Sequence, residues 1–275
     1  MPDPLSVDRN GHRTWLKWHR GRRRLSDPAF TGARILEGMR LGASVEVDLV
    51  VHADHGCAIL HNLTLDKQTT GHGAVRETGA EALRQLQLRD NQGTPLPDHV
   101  MLLEDLCALL DSKPPHPDAL LQLDFKEDLA ALDTETIASF AASVGRHTGN
   151  IILSGGDADA VRTLAESTPG LRTGYDPCYG ESLARLRSTG DFACFIDTAL
   201  RTAPDADTIY LSHELVLAAD RDIVADVHAG GRRVDAWTIR EVTPATLNQV
   251  TRLLALKVDQ ITTDDPEGLL AALAS

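Results

Sequence analysis

The chain has 275 residues, of which 42% are apolar and 24% charged, and its formal net charge is −13 with a pI of about 5.2. This composition is typical of a globular protein with a large core and excludes a disordered or collagenous chain. The acidic balance argues against a nucleic-acid-binding protein, which needs a basic face to neutralise phosphates.

The start of the chain has no apolar segment behind a basic end, so we expect no secretory signal. No stretch approaches the roughly 20 apolar residues of a membrane span. Four cysteines lie far apart without a C-x-x-C pair, which predicts reduced thiols rather than disulfides or a zinc site. These features predict a cytoplasmic protein without a membrane span, and they leave the oligomeric state unknown.

Short apolar runs alternate with helical patterns along the chain, and no proline- or serine-rich linker divides it, so we expect one domain over residues 1–275. The runs are rich in Val and Ile, and most are bounded by Gly, Asp or Pro. Eight strands are predicted, at residues 14–19, 44–51, 120–126, 150–154, 171–175, 208–211, 233–238 and 260–263.

Helix boundaries can be read between these strands. Asp27-Pro28 predicts the start of a helix that ends at Gly42, Thr243-Pro244 and Asp265-Pro266 predict two further starts, and Gly230 predicts an end. Eight strand–helix units in roughly 250 residues predict an α/β protein of the (β/α)₈ barrel (TIM barrel) class. A doubly wound sheet is the competing fold, but no Gly-rich phosphate loop follows the first strand. Residues 51–97 do not fit the barrel count and are interpreted as a small excursion between the second and third barrel strands, over the mouth.

Acidic side chains recur at alternate positions on the second and third strands. Glu46 and Asp48 share one side of their strand, and Asp124 and Lys126 share one side of the next. The carboxyl ends of barrel strands form the active site. Three carboxylates that meet there repel one another unless a cation joins them, and oxygen ligands favour Mg²⁺ or Ca²⁺. One divalent cation is therefore expected; ordinary polar alternation on half-buried strands is the alternative.

Two histidines also fall at strand ends. His19 stands beside Arg20 at the end of the first strand, and His61 follows the apolar run 58–60 of the excursion. Two histidines and a metal suit acid–base cleavage of a phosphodiester, and an arginine suits its phosphate. Taken singly, a histidine is more often a surface or hydrogen-bonded core residue. Trp237, on the seventh strand, is either a stacking wall for the substrate or part of the core.

Other polar groups leave two interpretations open. The cluster Arg22 to Arg24 either steers an anionic substrate or pairs with nearby carboxylates. His52 and His55 have the spacing of a metal pair, but a turn-like setting favours exposure over a ligand role. Phe30 and Trp18 suggest a less polar mouth.

In their order along the chain, these residues resemble the glycerophosphodiester phosphodiesterase family, a group of metal-dependent (β/α)₈ barrels. H-R-G alone is a weak signal, whereas an ordered set of such segments is specific. The similar segments are H-R-G at 19–21, L-G-A at 41–43, E-V-D at 46–48, His61, L-D-K-Q-T-T-G-H-G at 65–73, L-E-D-L at 103–106, D-F-K at 124–126, W-T at 237–238 and T-T-D-D-P at 262–266.

The resemblance implies that the glycerol hydroxyl next to the diester attacks phosphorus, which forms a cyclic phosphate intermediate and releases the alcohol. It leaves open which histidine is the base and which the acid. It implies three kinds of site residue: metal ligands at Glu46, Asp48 and Asp124, phosphate or substrate contacts at Arg20, Lys126 and Trp237, and an acid–base pair at His19 and His61.

The sequence departs from the family pattern at three places. The usual Pro-Glu-Asn-Thr after H-R-G is Asp27-Pro28-Ala29-Phe30 here, the aspartate that follows the second histidine is Asn62, and the third metal acid is the shorter Asp124. The first hypothesis is metal-dependent hydrolysis of a small anionic glycerophosphodiester, or a related sugar phosphodiester, to an alcohol and a phosphomonoester. The alternatives are a phospholipase D-like lyase that stops at the cyclic phosphate, and a barrel that binds a phosphodiester without cleaving it.

Overall fold

The structure, a computed structural model, describes residues 5–274. Residues 1–4, part of the segment for which we expect no secretory signal, lie outside this range. The described range contains twelve strands, in chain order β1 Ser6–Arg9, β2 His12–Trp18, β3 Ser44–Val51, β4 Cys57–Ile59, β5 Gln87–Arg89, β6 Pro95–His99, β7 Leu120–Phe125, β8 Ile151–Gly155, β9 Arg172–Tyr175, β10 Thr208–Ser212, β11 Arg233–Ile239 and β12 Gln260–Thr263.

Eight of these strands form a closed parallel barrel, in the order β2, β3, β7, β8, β9, β10, β11, β12. The last strand pairs with the first over four residues, and Trp18 opposite Val45 joins β2 to β3 and closes the ring. The fold is therefore a (β/α)₈ barrel, as the alternating pattern predicts. The doubly wound sheet is wrong, because its two edges would remain open.

The helices of the described range follow the barrel strands, and three of the connections between strands carry two helices each. They are α1 Gly32–Leu41, α2 Ala80–Gln85, α3 Leu103–Ser112, α4 Thr134–Val144, α5 Ala158–Glu166, α6 Gly180–Thr189, α7 Phe192–Thr202, α8 His213–Ala218, α9 Ile223–Ala229, α10 Pro244–Ala255 and α11 Pro266–Leu273.

Most of the predicted helix boundaries are confirmed. Thr243 caps α10 and Asp265 caps α11, each by accepting a backbone N–H, and α9 ends at Gly230. The predicted start at Asp27-Pro28 is wrong, because α1 begins only after Thr31. The Asp27 carboxylate instead accepts the backbone N–H groups of residues 23 and 24, so it organises the loop before the helix.

The first barrel strand is displaced from its predicted position. β2 begins at His12 and ends at Trp18, and His19 belongs to a 3₁₀ turn that runs to Gly21. A short antiparallel strand, β1, precedes it and pairs with its first half. Polar residues dominate β1 and the start of β2, which hides the strand pattern in the sequence.

The excursion lies where it is predicted, between the second and third barrel strands. β4 pairs antiparallel with the end of β3, and β5 and β6 form a separate hairpin. The excursion continues past residue 97, since β6 ends at His99 and α3 starts at Leu103. No helix in the described part of the chain is long and apolar enough to cross a bilayer. The four cysteines are free thiols, three of them buried.

Candidate active site

Two connected cavities open at the carboxyl ends of the barrel strands. A small inner cavity of about 90 Å³ is bordered by His19, Arg20, Glu46 and Trp237, among others. A larger outer cavity of about 680 Å³ lies beside it, toward the excursion and the loop after β7. Four residues line both cavities: His61, Asp124, Lys126 and Tyr179.

The 3₁₀ turn after β2 aims His19 into the inner cavity. Arg20 has a positive φ of 56°, and Gly21, at 73°, passes so close to Ile35 that an added Cβ would lie 2.8 Å from the Ile35 Cγ1. This tight turn directs His19 Nδ1 to the carboxylate of Asp264, 2.6 Å away. The same turn presents the backbone N–H of Arg20 to Glu46 Oε2 at 2.7 Å.

Three carboxylates converge at the mouth, as their strand positions predict. Single oxygens of Glu46, Asp48 and Asp124 all lie within 4.8 Å of one another. Paired register places Asp48 directly opposite Asp124 on the neighbouring strands. Lys126 Nζ lies 2.8 Å from Asp48 Oδ1 and also donates to Asp124, and Arg20 Nε lies 3.2 Å from Asp48 Oδ2.

Burial and these two cations shift the pKa values of Glu46 and Asp48 in opposite directions. Burial, followed by the charge of Asp48, raises the pKa of Glu46 well above its usual range. Burial also opposes ionisation of Asp48, but Lys126 and Arg20 outweigh it and lower the pKa of that carboxyl. Burial would lower the pKa of Lys126, yet Asp124 and Asp48 raise it. The cluster therefore needs positive charge to stay ionised.

The three carboxylates fit a hard divalent cation. Each supplies an oxygen ligand of the kind that Mg²⁺ and Ca²⁺ prefer. Both carboxylate oxygens of Asp48 are buried without a hydrogen bond in the described structure, although Arg20 and Lys126 form ion pairs with it. A buried acceptor left in this way is costly unless a cation or further donors satisfy it. In the described residues this is the one group of acidic, histidine or cysteine ligands close enough to hold an ion.

His61 reaches the same mouth from the excursion. Its backbone N–H and that of Asn62 both donate to Gln68 Oε1, at 3.1 and 2.8 Å. Its Nδ1 lies 2.9 Å from Asn62 Oδ1, so the neutral amide replaces the charged partner that His19 has in Asp264. Burial lowers the pKa of His61, and Asp48 opposes the shift.

Burial lowers the pKa of His19 as well, and the hydrogen bond from His19 to Asp264 opposes that shift. Both rings are therefore predominantly neutral near pH 7. Each Nδ1 faces an oxygen acceptor and therefore carries the hydrogen, which leaves Nε2 with a lone pair. Both histidines can consequently accept a proton at Nε2, and each can donate one from Nε2 only in its imidazolium form.

Trp237 is half-buried, packs against the hydrophobic core and borders the inner cavity. Its ring is stacked on that of Tyr179, with 5.9 Å between centroids and an interplanar angle of 8°. The side chain of Tyr179 is 50% exposed and borders both cavities. A half-buried ring that borders the cavity and also packs against the core is compatible with both interpretations of Trp237, so its role as a substrate wall stays a prediction.

Other predictions for the mouth are corrected by the structure. Arg22 donates to Asp264, and Arg23 and Arg24 both pair with Glu267, so the arginine cluster forms ion pairs with nearby carboxylates. The suggestion of a less polar mouth from Phe30 and Trp18 is wrong. Both residues are almost completely buried in the hydrophobic core, Trp18 at the end of β2 and Phe30 in the loop before α1.

His52 and His55 do not form a metal pair. His52 is buried in the turn after β3, where its Nδ1 accepts the backbone N–H of Asp54. His55 is exposed and pairs with Asp133 and Glu135, at 2.7 and 3.2 Å. The structure thus supports the interpretation of this segment as a turn.

Three polar residues of the site are missing from the sequence-based set of catalytic and binding residues. Asp264 holds His19, Gln68 holds the backbone at His61, and Ser154 donates to Asp124 Oδ1 at 2.8 Å. Asp264 has a signal in the sequence, since it follows the last strand directly. Gln68 lies in the L-D-K-Q-T-T-G-H-G segment, but nothing in that segment indicates that its side chain accepts the N–H groups of residues 61 and 62. Ser154 has no signal, because its partners lie on a neighbouring strand.

The barrel and its mouth define the class of protein. Two histidines, three carboxylates and two cations meet at the carboxyl ends of a (β/α)₈ barrel, an arrangement suited to cleavage of a phosphoric diester. The model of the Glycerophosphoryl diester phosphodiesterase family matches residues 31–268. The chain belongs to this family and is a phosphoric diester hydrolase, so both predictions from the sequence are confirmed.

Solved structures agree with this assignment in fold. A structure from Silicibacter pomeroyi that is described as a glycerophosphoryl diester phosphodiesterase is 22% identical over 94% of each chain, with a TM-score of 0.73. One of Agrobacterium tumefaciens is 25% identical over 94% of this chain and 96% of that chain, with a TM-score of 0.70. An Oleispira antarctica phosphodiesterase, solved with its product sn-glycerol-3-phosphate, is 19% identical over 95% of this chain and 97% of that chain, with a TM-score of 0.69. A comparison with curated protein sequences finds no match.

Proposed function

We propose that the protein hydrolyses a small anionic glycerophosphodiester to an alcohol and a phosphomonoester, with the help of one divalent cation and two histidines. The observation that carries the proposal is the convergence of His19 and His61 on a buried cluster of three carboxylates. The Oleispira antarctica relative, which holds sn-glycerol-3-phosphate, supports a monoester as the product.

Glu46, Asp48 and Asp124 would hold Mg²⁺ or Ca²⁺. When bound, such an ion withdraws electron density from the phosphoryl oxygens and neutralises the charge that develops on them. Arg20 and Lys126 border the same carboxylates and would contact the phosphate oxygens. Together these groups would bind the diester by its charge, whatever alcohol it carries.

The two histidines would divide the proton transfers. The glycerol hydroxyl next to the diester attacks phosphorus and forms a new P–O bond, while one histidine takes the hydroxyl proton through Nε2. The bond from phosphorus to the alcohol oxygen breaks, and the other histidine, which must be in its imidazolium form for this step, gives that oxygen its Nε2 proton. Water then attacks phosphorus and the bond to the attacking glycerol oxygen breaks again. The second histidine takes a proton from the water, and the first returns its proton to the glycerol oxygen.

The cavities support an assignment of these roles. His61 borders both cavities, whereas His19 borders the inner one only. The outer cavity has room for an alcohol group, and its wall includes Leu63, which is 52% exposed, and Tyr179. We therefore place the alcohol in the outer cavity, with His61 as the acid that protonates it and His19 as the base.

Asp264 suits His19 to the role of base. The carboxylate fixes the tautomer with a hydrogen on Nδ1 and stabilises the imidazolium that forms when Nε2 takes a proton. Arg22 also donates to Asp264 at 2.9 Å, which holds the carboxylate in place.

The test is release of alcohol and phosphomonoester from glycerophosphodiesters with cationic, neutral and anionic alcohols, with Mg²⁺, with Ca²⁺ and with a chelator. We expect turnover that needs a cation, and a loss of at least about 10³-fold in His19→Ala, since the base is removed. The matched control is His55→Ala, at an exposed histidine outside the site, which should keep full activity. Full activity of His19→Ala, or full activity in chelator, would contradict the proposal.

The same assay separates the two alternatives. A lyase would accumulate the cyclic phosphate, which differs from the monoester by one water. A binding-only barrel would retain the diester and release no alcohol with either ion.

A further inference from the structure

A line of buried hydrogen bonds crosses the barrel interior beneath the proposed metal ligands. It starts at Lys17 on β2, whose side chain is completely buried. Lys17 Nζ lies 2.8 Å from Asp235 Oδ2 and donates to Gln122 Oε1 at 2.5 Å. Thr262 in turn donates to Asp235 Oδ1 at 2.8 Å, so the carboxylate that anchors the lysine is itself fixed.

The line continues from Gln122 to the mouth. Gln122 Nε2 donates to Ser154 Oγ at 2.9 Å, and Ser154 Oγ donates to Asp124 Oδ1 at 2.8 Å. Gln122 and Ser154 are both buried, on the neighbouring strands β7 and β8. No other hydrogen bond of either side chain is found in the described structure.

The chemistry of Lys17 sets the direction of every bond in this line. A lysine ammonium only donates, so the amide atom of Gln122 that faces it must be the oxygen. The amide nitrogen then faces Ser154 and donates to it, which occupies an acceptor position of that hydroxyl. The single hydroxyl hydrogen of Ser154 is left for the carboxylate of Asp124.

We propose that Lys17, Gln122 and Ser154 are positioning residues that orient the Asp124 carboxylate for the divalent cation. The line commits Oδ1 of Asp124 to Ser154 and leaves Oδ2, which now accepts from Lys126, as the oxygen available to the ion. Partners of this kind hold a ligand in its binding orientation and are worth about 10- to 100-fold in metal affinity. The inference rests on the proposed metal site, and it adds three residues that would act on the ion through Asp124, of which Gln122 also borders the inner cavity.

The first test is calorimetric titration of the whole protein with Mg²⁺ alone and with Ca²⁺ alone, without substrate. We expect Ser154→Ala to bind the ion about tenfold more weakly. Ser154→Thr, which keeps the hydroxyl, should bind within about threefold of the unsubstituted protein. The matched control is Ser44→Ala, a buried barrel hydroxyl that donates to Gln260 instead and should leave ion affinity unchanged.

A second variant tests the line rather than the serine alone. Gln122→Met keeps the volume and the Ser154 hydroxyl but removes the donor that directs it. We expect a loss of about threefold in ion affinity, whereas a local role of Ser154 would give no loss. Thermal unfolding of each variant shows that it is folded, and because the readout is ion affinity, a purely structural role would not move it.

The outcomes separate this inference from the proposed function. If the unsubstituted protein binds neither ion, the proposed metal site and the inference both fail. If it binds an ion and Ser154→Ala binds it equally well, the inference alone is overturned. If Gln122→Met binds the ion as tightly as the unsubstituted protein, the proposed positioning role of Lys17 and Gln122 is overturned.

Discussion

The two histidines of the mouth differ most in the group that faces Nδ1. His19 has the carboxylate of Asp264 and His61 has the amide of Asn62, so only the first ring has a hydrogen-bonded carboxylate that stabilises its imidazolium form. The difference follows directly from residue identity and gives the two rings different proton affinities. It is the basis for assigning His19 as base and His61 as acid, together with the position of His61 beside the outer cavity.

The role of His61 can be tested with the leaving group. An acid is needed when the departing alcohol is a poor leaving group and dispensable when it is a good one. We expect His61→Ala to lose about 10²- to 10⁴-fold on a glycerophosphoalcohol but much less on a p-nitrophenyl diester of glycerol phosphate. His19→Ala should lose activity equally on both. Equal losses for the two variants on the aryl substrate would contradict the assignment of His61 as the acid.

The role of Asp264 can be tested with an isosteric amide. Asp264→Asn keeps the shape but removes the charge and can invert the tautomer of His19, so we expect kcat to fall by up to about 10⁴-fold. The adjacent acid provides the control: Asp265 caps α11, and Asp265→Asn retains a good capping residue and should keep kcat. An unchanged kcat in Asp264→Asn, with normal thermal unfolding, would show that His19 works without this partner.

At the level of elements, the excursion contributes one of the two catalytic candidates to a site otherwise built on barrel strands. The loop that carries His61 has no strand beneath it, because β4 ends at Ile59. Gln68 replaces that support by accepting the N–H groups of His61 and Asn62. The geometry of His61 therefore depends on the side chain of a residue seven positions further along the chain.

Loss of this support should affect catalysis more than stability. We expect Gln68→Met to reduce kcat by about tenfold or more, since small misplacements of a catalytic group are costly. Gln68→Glu retains an acceptor for both N–H groups and should recover most of the activity. Lys67→Met, at the exposed neighbouring position, is the matched control. If Gln68→Met is as active as its control, contacts other than those of Gln68 hold His61 in place.

Sequence patterns predict the elements well where one face of an element is apolar and its end is marked by a cap. The Thr243 and Asp265 caps and the strand at Ser44–Val51 illustrate this. The start of α1 is predicted wrongly, because Asp27-Pro28 has the chemistry of a helix start but the carboxylate serves loop N–H groups instead. A local pattern cannot tell these two uses of an aspartate apart.

At the scale of the whole molecule, the barrel and the convergence of Glu46, Asp48 and Asp124 could be predicted from strand periodicity, since side-chain alternation places them inside. The buried Lys17 and Asp235 could not, because a charged residue in a strand normally indicates an exposed face. Only closure of the ring brings them within 2.8 Å of each other.

Binding of a cation at the three carboxylates should raise the stability of the whole folded chain, whose net charge is −13. An ion that binds the folded chain and not the unfolded chain stabilises it by about 2.7 kcal/mol at a concentration of 100 Kd. We expect Mg²⁺ or Ca²⁺ to raise Tm and a chelator to reverse the rise. Asp48→Asn should abolish the ion-dependent shift, whereas Asp54→Asn, at an exposed acid of the turn after β3, should preserve it. A shift that persists in Asp48→Asn would place the ion elsewhere.

The hydrogen bond from His19 to Asp264 joins residues 245 positions apart. As a ribosome extends the nascent chain, His19, the three carboxylates and His61 all emerge before the partner that fixes the first histidine. Every earlier fragment of the barrel therefore lacks a correctly held base. With His19 as the proposed base, we expect activity only after the last strand pairs with the first, so that the active site is complete only when the fold is complete.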